Sequence, residues 1–137
     1  MSIEEENKAF VRRFCELENQ GDLEKLYELL VPGIISHYGA DTFNMEQLKQ
    51  IWPNIWSAFP DIHFTMEDMI AEGNKVAFRE SWTGTHEGEF MGIAPTGKKV
   101  KQINTCIVRI ENGKFAESWC TIDNASLLQQ LGAIPAQ

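Results

Sequence analysis

Glu117, Trp119, Thr121 and Asp123 alternate along a β-branched and aromatic stretch near the end of the chain, and a strand would turn all four to one face. An acid at the strand end then stands on the same side as a large indole. Away from water, the charged form of Asp123 is disfavoured and its pKa rises toward the range of a general acid or base. Asp123 equally suits the N-cap of the short helical run that begins near Asn124. His86 lies in Gly84-Thr85-His86-Glu87-Gly88, a flexible turn. From there a near-neutral imidazole can project over a pocket mouth and move protons, or remain a solvated turn residue. His37 follows the Pro32-Gly33 break and has the same two options. Arg79 falls among Val76, Phe78 and Trp82 in mid-strand. It either faces solvent or turns inward to orient Asp123 or a substrate oxygen. Four Trp and eight Phe in 137 residues leave room for an aromatic-lined pocket, with Trp119 and Trp82 as candidate walls.

Other chemistries find little support in the residue pattern. The three histidines, His37, His63 and His86, show no i,i+4 pair, and Cys15, Cys106 and Cys120 form no Cys-x-x-Cys. No metal site is therefore expected. Cys106 and Cys120 fall in strands and read as small core residues. Gly92 to Lys98 lacks the spacing of a phosphate-binding loop, so no nucleotide is expected.

The positioning elements follow from periodicity. Ser2 with Glu5 makes a capping box, and Phe10, Phe14 and Leu17 form a helical stripe opposite Glu4, Lys8, Arg12 and Glu16. A second short helix spans Leu23 to Leu30, with Asp22 able to cap it. Asn44 opens a third apolar run through Phe59, in which Pro53 predicts a kink or two short helices. Beyond Pro60 the period changes. Ile62 to Ala71, Lys75 to Thr85, Val100 to Glu111 and Lys114 to Ile122 read as four strands, pairing antiparallel through tight turns at Gly73 and Asn112-Gly113. Gly88 to Lys99 is a longer connection or lip. A last helical run, Leu127 to Leu131, ends at Gly132. Helices first and an antiparallel sheet afterwards give an α+β order, one domain over residues 1–137 with helices covering one sheet face. The other face would meet a second subunit.

A net charge of −8 repels polyphosphate backbones and anionic lipid surfaces, so no nucleic acid and no membrane partner is expected. Hydrophobic residues at 43% suffice for a packed core. Scattered cysteines suggest a reducing, cytoplasmic setting. The N-terminal residues carry no leader pattern and no apolar run approaches a membrane span, so the chain is read as soluble and unprocessed.

Phe59-Pro60-Asp61, Ala71-Glu72-Gly73, Gly84 to Phe90, Gly92 to Lys98, Arg109 to Lys114 and Glu117-Ser118-Trp119, with Asp123 and the closing Leu127-Leu128-Gln129-Gln130-Leu131-Gly132, resemble the SnoaL-like polyketide cyclase, or ester cyclase, family. The resemblance runs from about Phe59 to Gly132. It implies the cone-shaped nuclear transport factor 2-like fold, with helices on a strongly curved antiparallel sheet, a central pocket, and a homodimer or tetramer. It also implies an aspartate acid/base, carried to Asp123, that closes a ring of an aromatic polyketide ester by intramolecular aldol condensation without metal or cofactor. His86 or Arg79 would then stabilise the enolate, with His37, Trp82 and Trp119 around a hydrophobic substrate. The competing reading is a homo-oligomer of the same fold that binds a hydrophobic small molecule without turning it over.

Overall fold

The computed structural model describes residues 1–135. The Ser2 hydroxyl accepts from the Glu5 N–H at 3.1 Å, and Glu4, Glu5 and Glu6 crowd the first turn, so α1 (Ile3–Gln20) begins where its free N–H groups are satisfied. Gly21 ends it in the left-handed conformation, φ +68°, its N–H bonded to the Glu18 carbonyl. Asp22 caps α2 (Leu23–Glu28). Asn44 and Gln47 form a full capping box for α3 (Met45–Ala58). That helix continues through Pro53 as one element. Leu48, Trp52 and Ala58 are all buried, and their packing outweighs the single hydrogen bond the proline removes.

Six strands form the sheet: β1 (Leu30–Tyr38), β2 (Asp41–Phe43), β3 (His63–Glu72), β4 (Lys75–Thr85), β5 (Lys99–Glu111) and β6 (Lys114–Ile122). Their order is β2-β1-β6-β5-β4-β3. The four strands expected after Pro60 are present, and α4 (Asn124–Gln130) follows them. Two corrections apply. Leu30 to Phe43 supplies two further strands, and β1 runs parallel to β6, so the sheet is mixed. Pro32 and Gly33 looked like a break because they sit where the β1 register shifts between Leu30 and Ile35. A bulge accommodates both residues and the strand resumes.

The helices cover one sheet face. Phe10 and Phe14 of α1 meet Phe115 of β6 at ring-centroid distances of 4.7 and 5.2 Å, and Tyr27 of α2 stacks on Trp52 of α3 at 5.7 Å. A second buried cluster gathers Phe59, Ile62, Phe64, Trp82, Val100, Leu127 and Leu131 at the end of the sheet where α3 and α4 approach.

Candidate active site

Between the helices and the sheet lies a cavity of about 980 Å³, large enough for a drug-sized ligand. Period two decides which side chains reach it. On β4, Phe78, Glu80 and Trp82 face inward; on β5, Gln102, Asn104, Cys106 and Val108; on β6, Ser118 and Cys120. Phe14 and Glu18 of α1, Trp52, Ile55 and Trp56 of α3, and Tyr38 of β1 close it from the other sides. Exposed residues among the lining, Gly39, Asp41, Asn54, Glu89, Met91 and Asn124, mark its rim.

The walls are mostly apolar, with a band of hydrogen-bonding groups across the sheet. Trp82 donates from Nε1 to Gln102 Oε1 at 2.9 Å. Gln102 in turn donates from Nε2 to the Asp123 carbonyl and to Asn124 Oδ1, both at 3.2 Å. This chain fixes the indole and the β6–α4 junction together. The Ser36 and Ser118 hydroxyls share a hydrogen bond, and Trp52 donates to the Tyr38 hydroxyl at 3.1 Å. Burial pushes the Tyr38 phenol up from its ordinary value.

Two carboxyls close the band. Glu18 and Glu80 are 7% and 5% exposed. Burial is the main reason both have pKa values above the ordinary carboxyl range, Glu18 well above. The Glu80 charge and its hydrogen bond with Glu18 push Glu18 further up. Hydrogen bonds from Glu18 and Cys15 oppose the rise at Glu80. Cys15 itself is pushed up to about 12 by burial and by Glu80. The Cys15 Sγ and one carboxylate oxygen each from Glu18 and Glu80 lie within 4.8 Å of one another. No motif spacing could have shown this, because β4 brings Glu80 to α1 from far along the sequence.

Of the six residues singled out from sequence, Trp82 lines this cavity. Although Thr121, at the strand end, also borders the cavity, by register Glu117, Trp119 and Thr121 do share a face, the outer one. His37 stacks on Trp119 there at 5.6 Å and binds Glu117 Oε2 through Nε2 at 2.7 Å. That bond first, and Arg109 after it, lower the Glu117 pKa. Arg79 is exposed on the same outer face, 3.1 Å from Asp68 Oδ2. Asp123 is exposed at the N-cap of α4, where its Oδ1 accepts from the Ser126 N–H at 3.0 Å. The expectation of a shielded carboxyl beside Trp119 inside the pocket therefore does not hold, and the capping alternative describes the geometry. His86 is fully buried rather than over the pocket mouth. Its Nδ1 accepts from the Thr96 N–H at 3.2 Å, placing the ring proton on Nε2. Its backbone binds Lys98 O and Gly97 N. Histidine here pins the 86–98 connection, whose Glu89, Phe90 and Met91 reach the cavity. The connection comes so close to α3 that a Cβ on Gly88 would stand 2.5 Å from the Ser57 carbonyl oxygen.

The missed residues carried a signal. Glu80 falls between Phe78 and Trp82 on the apolar period of β4, and Glu18 continues the helical stripe of Val11 and Cys15. A carboxyl on the buried face of an amphipathic element is the informative exception.

Comparison with known proteins agrees with this architecture. AclR of Streptomyces galilaeus, a candidate hydroxylase, superposes with a TM-score of 0.91 at 30% identity, covering 96% of this chain and 84% of that one. IdmH of Streptomyces antibioticus, a candidate polyketide cyclase, gives 0.80 at 32% identity, covering 92% of this chain and 98% of that one. A SnoaL-like polyketide cyclase candidate from a Jannaschia species gives 0.86 at 23% identity, covering 98% and 97%. No curated protein matches the sequence significantly. These structures share the nuclear transport factor 2-like fold. With residues 8–131 matching the family as a whole, the chain belongs to the SnoaL-like polyketide cyclases.

Proposed function

We propose that the protein is an ester cyclase. Its substrate is a hydrophobic aromatic carbonyl compound of the polyketide ester type, on which it performs an intramolecular aldol condensation or a closely related enolate reaction without a cofactor. The observation that carries this reading is the 980 Å³ cavity, with aromatic walls for fused rings and one polar band where a carbonyl can be held. Proton transfer needs an ionisable group that meets the substrate. The carboxyls of the cavity meet that need, whereas Asp123 points to solvent. Incubation with a set of tricyclic aromatic polyketide methyl esters is expected to give a ring-closed isomer of unchanged mass, followed by absorbance and chromatography. Saturable binding of those esters with no product would instead support the binding-module reading.

The outer sheet face supports a second part of the reading, a homodimer. Ile35, Ile103, Ile107 and Trp119 are all exposed there, and Ile107 and His37 both flank Trp119 in register. Lys75 lies over the Trp119 ring at 5.5 Å, and Arg109 of the neighbouring strand pairs with Glu111 and Glu117. A face with a central apolar patch and charges of both signs at its margin can pair with its own copy about a two-fold axis. Sedimentation is expected to give twice the 15.6 kDa chain mass, and Ile107→Glu is expected to return the protein to monomer. A wild-type monomer at micromolar concentration refutes the dimer. Three free thiols suit a reducing, cytoplasmic location, and among the described residues no helix is long and apolar enough to cross a membrane.

A further inference from the structure

Glu18 and Glu80 come from opposite layers of the fold. Glu18 sits in the last turn of α1 with its backbone carbonyl held by Trp56 Nε1 at 3.3 Å, and Glu80 lies on the inner face of β4. Both line the cavity although nearly all of each is buried. Glu18 Oε1 and Glu80 Oε2 have no hydrogen-bond partner within the protein. Across β5, Asn104 pairs with Glu80 in register, and its Oδ1 is also buried and unpartnered. The groups that act on the two carboxyls are Cys15 on α1 and Cys120 on β6, and the pair in turn acts on Cys106 of β5. No lysine, arginine or histidine is among them. Two carboxylates so placed cannot both stay ionised, and a single proton held between them resolves the repulsion.

The geometry points to a role for this pair that rests on the cyclase reading: Glu80 is the base that takes a proton from the carbon beside a substrate carbonyl. Glu18 is the protonated neighbour that orients it. The substrate C–H bond breaks, its proton passes to the Glu80 carboxylate, and the electron pair becomes the enolate. The enolate carbon then bonds to a second carbonyl carbon of the same molecule, and the resulting alkoxide takes the proton back from Glu80. Substrate and product are isomers, so no co-reactant enters. Asn104 brings an amide N–H donor to the same wall, the type of group a developing enolate oxygen requires. Glu80 is the catalytic residue and Glu18 a positioning residue, because Glu18 acts through Glu80, whose carboxyl lies within 4.8 Å of its own.

Two measurements test the pair. Infrared difference spectra of the purified protein near pH 7 should show the carbonyl stretch of a protonated buried carboxyl, lost in Glu18→Gln. Its absence from the wild type overturns the proton-sharing pair whatever the substrate. The second measurement is solvent-deuterium exchange at the carbon next to the ester of a tricyclic aromatic polyketide methyl ester, read by NMR. Glu80→Gln is expected to lower exchange by roughly 10²-fold or more, the usual scale of general acid–base catalysis. Glu18→Gln keeps a donor to Glu80 and should leave the acid limb of the pH profile in place. Glu18→Leu removes the donor and should move that limb to higher pH, which a purely structural role would not do. Exchange lost in Asp123→Asn but retained in Glu80→Gln overturns the assignment while leaving the cyclase reading standing. Absence of exchange in the wild type with every ester counts against the cyclase reading, and the infrared band then decides the pair alone.

Discussion

Phe59→Ala is expected to lower unfolding stability by about 3–5 kcal/mol, the range for removing a fully buried phenylalanine. Phe59 is 0% exposed and stands where three elements converge. Its ring meets Trp82 at 4.8 Å, Phe90 at 5.3 Å and His86 at 5.5 Å, so one side chain joins the end of α3, the inner face of β4 and the 86–98 connection. Little can collapse into the space it leaves. The Ala58 carbonyl is held by the Glu87 and Gly88 N–H groups at 2.9 and 3.1 Å, and there is no room at Gly88 for added atoms. A domain of this size has roughly 5–15 kcal/mol in total, so the loss is a large fraction of it. Thermal denaturation should show a Tm lower by roughly 10–20 °C, and a urea midpoint close to wild type would contradict the packing described.

Glu18→Gln is expected to act in the opposite direction, and only over part of the pH range. The folded pKa values of Glu18 and Glu80 lie above the ordinary 4.5. The unfolded chain therefore releases protons that the folded chain still binds, and stability falls as pH rises from about 4.5 through the folded values. A glutamine is neutral at every pH and retains the donor toward Glu80. The variant should match wild type below that window and exceed it above, by about 1–3 kcal/mol, the range for relieving a poorly satisfied buried polar group. Glu117 and Asp61 have lowered values. Their contributions are present at neutral pH and disappear as pH falls below the ordinary carboxyl range, so the acid limb persists in Glu18→Gln. Thermal scans from pH 2 to pH 9 separate the two limbs. An unchanged alkaline limb in the variant contradicts the assignment of that limb to Glu18.

The strands after Pro60 were legible because their alternation, the Asn112-Gly113 turn and the Gly73 turn all point the same way. Lys75–Thr85 and Lys114–Ile122 end where the sequence pattern ends. The strand β1 was not, because its proline and glycine occupy a bulge that only its partner strand reveals. The site was misplaced for a related reason. On β6 the period was correct and the side was not. Trp119 is the larger residue and reads as inward, but the inner positions are Ser118 and Cys120. On β6 the positions facing the cavity are small, while the cavity's large aromatic walls come from Phe78 and Trp82 of β4 and Trp52 and Trp56 of α3. Size therefore misleads where a fold encloses space, and the buried acids among aromatic neighbours are the more reliable sign.

The parallel pairing of β1 with β6 also sets an order in time. Ser36 and Ser118, which share a hydrogen bond, are 82 residues apart, and the Phe10 and Phe14 rings of the first helix find Phe115 in the last strand. During synthesis, α1 leaves the ribosome long before its partner exists. Until β6 emerges, the apolar stripe of α1 and the inward side of β1 remain without this cover. The cavity closes only with the last part of the chain, so a nascent chain stalled before Phe115 presents a greasy surface that chaperones would bind.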